Sequence, residues 1–190
     1  EMHIELTASV SHGLDFGSEH FDAAVVFGKP QGKRLVVHHL FDEILTPVCT
    51  PNYLPEQVRP PEPADLAETT LLHPTRDRRD WLLWLKAAGQ AALPSAKSQH
   101  FDTLDLAMSA ALQGCGIAIG DLCLLEEDIQ ANRIITPFPI SVVSGAAYYL
   151  VYPEHAVVPA ALTRLVEWLG AEAQASRTRL HHLLTTTQTN

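Results

Sequence analysis

Basic residues are scarce in this sequence. It has 13 Lys and Arg against 22 Asp and Glu in 190 residues, which gives a formal net charge of −9. A surface that binds DNA or RNA needs clustered Lys and Arg to displace counterions from phosphates, and here these residues are scattered along the chain. Direct binding of nucleic acid or of an anionic membrane by this chain is therefore disfavoured.

The sequence also has few cysteines and no long apolar run. The three cysteines, Cys49, Cys115 and Cys123, are odd in number and have no CxxC spacing, which favours reduced thiols over a disulfide framework. No apolar run reaches the length of a membrane span and no signal peptide is recognisable. We expect a cytoplasmic protein without a membrane segment.

The recognised catalytic motifs are missing as well. The sequence has no Gly-x-Ser-x-Gly, no phosphate-binding P-loop and no GxGxxG. Cys115 lies between two glycines as a nucleophile can, but no local signature ties a His or Asn to it, and a small apolar turn residue is the favoured reading. His38-His39 is an adjacent pair, as is His181-His182, and strand neighbours point opposite ways. We expect no enzyme activity, no metal site and no cofactor.

The pattern that is present alternates strands with helices, which predicts an α/β fold with parallel sheets flanked by helices. Strands are predicted over 3–9, 22–28, 34–39, 43–49, 70–73, 97–101, 117–119, 133–138 and 146–152. Helices are predicted over 79–88, 103–113, 122–127 and 157–175, with a short one at Asp65. Prolines gather between residues 47 and 63 and indicate a surface connection there. Residues 176–190 are read as a polar, frayed tail.

Several segments, taken in order, resemble the effector-binding domain of LysR-type transcriptional regulators. They are FDAAVVFG at 21–28, LFDEILTPVCTP at 40–51, LLH at 71–73 followed by WLLWLKAAG at 81–89, FDTLDLA at 101–107 and AALQGCGIA at 110–118. The last segments are similar to the branch that holds the glycine-cleavage activators, the β-lactamase regulators and the D-serine deaminase activators. Each motif alone is weak, and their order and spacing over residues 3–170 make the resemblance specific.

The resemblance implies two Rossmann-like lobes joined by two crossing strands, as in periplasmic binding proteins of type 2. Lobe I would comprise 1–47 and 151–175, and lobe II would comprise 48–150. One departure stands out, because family members have a further strand and helix before the segment equivalent to 3–7. We expect those two elements, and the DNA-binding winged helix-turn-helix, to be missing from this chain.

Candidate ligand contacts lie just after strands, because open α/β sheets bind ligands beyond the carboxyl ends of their strands. Phe27 and Gly28 follow one strand, and Gly28 either admits a ligand to the backbone or is a plain turn glycine. Tyr149, beside Tyr148, is near the second crossing, where one of the two should face the cleft and a core role is the alternative.

Further candidates follow the strand at 70–73 or begin the helix at 103. His73, Thr75 and Arg76 form the first group, in which Arg76 could pair with a carboxylate through its planar guanidinium. The alternative is that Arg76, Arg78 and Arg79 form a solvated loop cluster, and this alternative is favoured for Arg78 and Arg79. Thr103 and Asp105 begin a helix, whose N–H groups favour anions, and the resemblance places this helix start at the pocket.

The function that the resemblance implies is effector sensing for transcription control. A small polar metabolite, an amino acid or another carboxylate, would bind between the lobes and shift the arrangement of lobes or of a homodimer or tetramer. DNA would be bound only through an absent N-terminal winged helix-turn-helix. The alternative is a stand-alone solute-binding protein of the periplasmic type, which shares the fold.

Overall fold

The computed structural model describes residues 3–8, 16, 21–54, 61–74, 77–90, 97–154 and 158–187. Its strands are β1 (Ala24–Phe27), β2 (Leu35–Val48), β3 (Thr70–His73), β4 (Lys97–His100), β5 (Ile117–Asp121) and β6 (Val142–Pro153). Its helices are α1 (Arg79–Ala87), α2 (Leu104–Leu112), α3 (Leu122–Gln130) and α4 (Ala160–Thr187), with a short 3-10 helix at Pro63–Glu68. The predicted α/β class is confirmed.

The chain divides into two compact units. Unit 1 comprises Glu1–Asp42 and Ala146–Arg179, and unit 2 comprises Glu43–Gly145 and Leu180–Asn190. The chain therefore passes between the units within β2, after Asp42, and again within β6, after Gly145.

Unit 1 is built on β1, β6 and the first part of β2. β1 pairs antiparallel with β6, so that Val26 lies opposite Tyr149 and Phe27 opposite Tyr148. β6 is the next strand to β2 in the sheet order. Helix α4 covers these strands because its Ala173 joins Leu40 and Leu150 in a buried cluster that also takes in Val166 and Leu169.

Unit 2 has a strand order of β2, β5, β3, β4. One sheet face buries Trp81 and Trp84 of α1 against Leu71, Ile117 and Ile119. The other face buries Leu72 and Ala118 against α2 and α3, through Ala107, Met108, Ala111 and Leu125. Because strand residues alternate between faces, the neighbours Leu71 and Leu72 pack against helices on opposite sides of the sheet.

The prediction of parallel sheets is only partly met. β3 pairs parallel with both β4 and β5, since α1 and α2 carry the chain back to the same sheet end between these strands, as crossover helices do. β2 instead pairs antiparallel with β5, and β1 pairs antiparallel with β6. The six strands named above belong to one sheet, and its strand directions are therefore mixed.

Two predicted strands are wrong. Described residues 3–8 are in no strand, and Leu6 there is 90% exposed; an alternating pattern forms a strand only where another strand accepts its hydrogen bonds. The segment predicted at 133–138 makes a single bridge, between Ile135 and Cys49, because its apolar residues Ile134 and Phe138 are buried in different clusters of unit 2 instead.

Two boundaries also differ from the prediction. The strands predicted at 34–39 and 43–49 are one strand, β2, without a turn between them. Helix α4 continues to Thr187, although the sequence predicts a frayed tail from residue 176. The extension is anchored by Arg177, whose guanidinium donates to the Leu40 carbonyl at 2.9 Å and to Gln174 Oε1 at 2.7 Å. Across the described helices, none combines the length and the apolarity needed to cross a membrane.

Candidate functional site

The end of β1 offers an open backbone in unit 1. Gly28 has φ +84°, a left-handed conformation that glycine adopts without strain, and its N–H donates to the Ala147 carbonyl at 2.9 Å. Among the described residues, no atom lies within 4 Å of a Cβ built on Gly28. The preceding Phe27 is 47% exposed, and its ring lies 5.0 Å from that of Tyr148. A flat group can therefore approach both the Phe27 ring and the Gly28 backbone.

Tyr149 lies on the other face of the same strand pair. The β1–β6 register places Phe27 opposite Tyr148, whereas Tyr149 is opposite Val26, so alternation directs Phe27 and Tyr149 to opposite faces. The structure does not bring these two predicted contacts together.

Two polar side chains accompany Tyr149, and the sequence analysis did not select either of them. The His39 ring lies 5.5 Å from the Tyr149 ring in an edge-on arrangement, and its Nε2 is 2.9 Å from Asp42 Oδ1. The spacing of His39 and Asp42, three residues apart on one strand, gave no signal, because the pairing depends on how the strand bends.

His73 ends β3 in unit 2 and is fully buried. Its Nε2 lies 3.2 Å from Ser98 Oγ, and its ring stacks on that of His100 with 4.6 Å between centroids. In the described part of the chain no hydrogen-bond partner reaches its Nδ1. Burial above all, and then the charges of His100 and Arg78, lowers the pKa of His73 to about 4. His73 is therefore a neutral imidazole at physiological pH.

His73 and the start of α2 meet at one edge of unit 2. The Phe101 N–H donates to the His73 carbonyl at 2.9 Å, which brings the segment before α2 beside the end of β3. Thr103 caps α2, since its hydroxyl accepts from the Leu106 N–H at 3.4 Å, and Asp105 is exposed in the first turn. Thr75 and Arg76 lie outside the described residues.

The same edge carries positive charge that the sequence analysis assigned to a solvated loop. Arg78 Nη2 lies 3.4 Å from His100 Nε2, and His100 is the register partner of His73 across the parallel pair β3–β4. The available signal for His100 was its position at the end of the next strand, which places it beside His73 only if β3 and β4 are parallel neighbours.

The cysteines and acidic side chains do not gather into a metal site within the described ranges, where no group of three or more His, Cys, Asp or Glu has suitable spacing. Cys49 is buried, and desolvation raises its pKa to about 12, so its thiol stays protonated. Cys115 is exposed.

The pKa of His73 predicts a loss of stability on acidification. A histidine whose pKa is lower when folded binds fewer protons than the unfolded chain does, so its contribution is present above the ordinary pKa of 6.5 and is lost as the pH falls towards about 4. The loss has an upper limit of about 3 kcal/mol, from ~1.36 kcal/mol per pKa unit. Urea unfolding at pH 7 and 4.5 measures it.

The matched variants for that measurement are His73→Gln and His39→Gln, of which the second alters an exposed histidine. His73→Gln should lose less stability between the two pH values than the unaltered chain does. His39→Gln should lose about as much as the unaltered chain. An equal loss in all three proteins would show that His73 does not carry the effect.

Comparison with known proteins establishes the class. The chain matches the model of the LysR substrate binding domain over residues 1–174. The chain belongs to this family, and it is a domain of the kind that binds effectors in LysR-type transcription regulators.

Among curated proteins, the chain is similar to the glycine cleavage system transcriptional activator of Escherichia coli (strain K12), with 30% identity over 82% of this chain and 51% of that protein. It is also similar to the HTH-type transcriptional regulator PerR of the same strain, with 29% identity over 93% of this chain and 58% of that protein. The chain spans about half the length of these relatives.

Among solved structures, the effector domain of the regulator AmpR of Pseudomonas aeruginosa superposes with a TM-score of 0.71 and 30% identity, covering 88% of this chain and 80% of that one. The AmpR effector-binding domain of Citrobacter freundii gives a TM-score of 0.69 at 22% identity, covering 85% of this chain and 79% of that one, which supports the fold alone. The predicted family and the predicted fold class are confirmed. These relatives are transcription regulators, so the solute-binding alternative is not favoured.

Proposed function

We propose that the chain senses a small polar metabolite that carries a carboxylate, such as an amino acid, and that the metabolite binds between the two units. The observation that carries this proposal is the division of a LysR effector domain into two compact units connected through two strands, β2 and β6. In this proposal the units are the regulatory lobes. A ligand with different affinity for two lobe arrangements would shift their populations.

The ligand class follows from the local chemistry at the ends of the strands. The edge of unit 2 formed by β3, β4 and the start of α2 holds the Arg78 guanidinium and the α2 N-terminus, both of which favour an anion in a chain whose net charge is −9. Arg76 follows the same strand. On unit 1, the Gly28 backbone and Phe27 ring can accept the remainder of a small molecule. On unit 2, Asp105 would meet an ammonium group.

The response would reach DNA through a winged helix-turn-helix elsewhere in the whole protein, and a homodimer or tetramer of these domains would transmit it. The response also requires that the effector bind one lobe arrangement more tightly than the other. A ligand that binds both arrangements equally does not change their populations.

A screen of the twenty amino acids and simple carboxylates by thermal shift, followed by calorimetry, tests the ligand class. A ligand present at one hundred times its Kd should stabilise the chain by about 2.7 kcal/mol. A flat screen across both classes would contradict the proposal.

Arg76→Ala is expected to weaken the affinity of a carboxylate found in that screen by ~1–3 kcal/mol, the scale of a charged hydrogen bond. The reason is the loss of a planar, bidentate partner for the carboxylate. Arg164→Ala on α4, an exposed arginine of unit 1, is the matched control and should bind as the unaltered chain does. Equal affinity in both variants, measured by calorimetry, would remove Arg76 from the site.

A further inference from the structure

The two edge strands of the sheet differ in chemistry. β1 has β6 on its inner side, and no other described strand lies on its outer side. β4, at the opposite edge, reads KSQH, with a lysine and no apolar residue. β1 reads AVVF, with neither a charge nor a proline. Natural proteins use lysine, proline or short polar strands to keep exposed edges from pairing with another chain, and β1 lacks that protection.

The hydrogen bonds of β1 show which of its backbone groups face outward. The Gly28 N–H donates to the Ala147 carbonyl at 2.9 Å, on the β6 side. Successive residues of an antiparallel strand direct their N–H and C=O groups alternately to one side and to the other. Val26 therefore faces β6, as Gly28 does, whereas Val25 and Phe27 direct their N–H and C=O groups to the outer edge. These four outer groups have no strand beside them among the described residues.

The side chains at the two outward positions are exposed as well. Val25 is 55% exposed and Phe27 is 47% exposed. Val25 lies opposite Leu150 of β6, which is buried in the cluster beneath α4. The burial of apolar side chains therefore stops between β6 and β1, and the outer edge of β1 combines apolar side chains with outward backbone groups.

A second copy of the same strand is complementary to this edge. When two copies of β1 lie antiparallel about a two-fold axis through Val26, Val25 of each copy comes opposite Phe27 of the other. Both are outward residues, so each of the two pairs exchanges two N–H···O=C bonds, and all the outer groups of β1 are used. An axis between Val25 and Val26 fails, because it sets an outward residue opposite an inward one. A two-fold contact of this kind closes with two copies.

Side-chain type and charge agree with the same arrangement. Val25 opposite Phe27 is a β-branched residue facing an aromatic one, a pair that stabilises neighbouring strands. Asp22 precedes β1, Lys29 follows it, and both are exposed. Antiparallel pairing brings Lys29 of each copy to the end of the strand where Asp22 of the other copy lies, whereas parallel pairing would set like charges side by side. Because each copy has a net charge of −9, this contact between opposite charges favours the antiparallel arrangement.

We propose that two copies of this chain associate through the outer edges of β1, antiparallel and in the register that pairs Val25 with Phe27, so that one sheet continues across the dimer. The inference deepens the proposed function, on whose homodimer it rests, by naming the surface that forms the dimer. The pairing takes place without an effector. A flat ligand screen would therefore leave the dimer untouched, and a monomeric chain would leave the ligand screen untouched.

Sedimentation velocity of the ligand-free chain at a series of concentrations tests the pairing. The mass of the unaltered chain should approach twice that of one copy as the concentration rises. Val25→Lys should raise the dissociation constant of the dimer about tenfold, because a lysine replaces the valine in both cross-strand pairs and protects the edge from pairing. Val143→Lys makes the same change at an exposed valine of β6 and should dimerise as the unaltered chain does.

A cross-link keeps the test decisive if Val25→Lys fails to fold. The two copies of Val26 form a non-hydrogen-bonded pair on the axis, with Cα atoms about 4.5 Å apart, within the ~4.4–6.8 Å that a disulfide spans. Val26→Cys should therefore form a disulfide between copies on oxidation, identified by mass spectrometry of the joined peptides, and Val143→Cys should not.

Three results would each overturn the pairing: a monomeric unaltered chain, a dimer that Val25→Lys does not weaken, or no cross-link through Val26→Cys. Hydrogen exchange then shows what covers the edge in a monomer. If the amides of Val25 and Phe27 resist exchange there, another segment of the same chain occupies the outer edge of β1 in place of a second copy.

Discussion

Trp84→Ala is expected to destabilise unit 2 by about 3–5 kcal/mol, the usual cost of emptying a large aromatic site in a core. Trp84 is fully buried. Its ring lies 5.4 Å from that of Phe138 and 6.1 Å from that of Trp81, both within the same core cluster. Its Nε1–H also donates to the Ile140 carbonyl at 2.9 Å, a bond that alanine cannot replace. A loss of this size is a large part of the ~5–15 kcal/mol that holds a typical domain folded.

Urea unfolding followed by far-ultraviolet circular dichroism is the suitable measurement, because removal of a tryptophan alters fluorescence by itself. Trp84→Phe should lose less than Trp84→Ala, because a ring still fills part of the site; its loss comes from the volume of the missing second ring and from one hydrogen bond. Trp168→Ala is the matched control: Trp168 is 54% exposed on α4, and the change should stay within about 0.5 kcal/mol. Similar losses for Trp84→Ala and Trp168→Ala would contradict the assigned core.

Gly116→Ala is expected to cost ~1–3 kcal/mol, the range for forcing extra volume into a packed core. A Cβ at Gly116 would lie 2.5 Å from the Thr70 carbonyl oxygen and 2.9 Å from the Leu72 side chain. The first of these is backbone at the start of β3, the neighbour of β5, and it cannot rotate away as a side-chain end can. The parallel pairing of β3 and β5 must therefore shift to admit a methyl group.

Gly170→Ala provides a control with the opposite sign. Gly170 lies inside α4, and a Cβ there would have no atom of the described segments within 4 Å. Alanine should stabilise the helix by about 0.5–1 kcal/mol, because glycine loses more backbone freedom on folding. Urea midpoints of the two variants, compared with that of the unaltered chain, measure both effects. A shift of the same sign in both variants would refute the close approach of β5 to Thr70.

The candidate site was only partly accessible from the sequence. Gly28 was selected because it follows an apolar strand, and Thr103 because it begins a predicted helix. The structure places Gly28 at the end of β1 and Thr103 at the N-cap of α2. His100 was missed, since its contact with His73 exists only when β3 and β4 are paired in register. β1 was predicted as a strand, but its position at the edge of the sheet depends on the order of the strands.

Local sequence patterns also gave wrong predictions where contacts with other segments decide whether a strand or helix forms. Residues 3–8 alternate as a strand does, yet they are not in a strand in the structure. The polar stretch after Ala175 has no strong apolar face, and yet α4 continues to Thr187, with Arg177 bonded to the Leu40 carbonyl. The bond between Arg177 and Leu40 joins residues far apart in the chain, which a local pattern does not reveal.

The sequence by itself determined the α/β class, the order of most elements and the family, because periodicity, caps and ordered motifs are local properties of the chain. The low content of basic residues likewise disfavoured direct DNA binding without any structure. Only the tertiary structure decided the mixed strand directions, the division after Asp42 and Gly145, and the position of β1 at the edge of the sheet. These depend on contacts between distant segments, whose burial and charge no local pattern encodes.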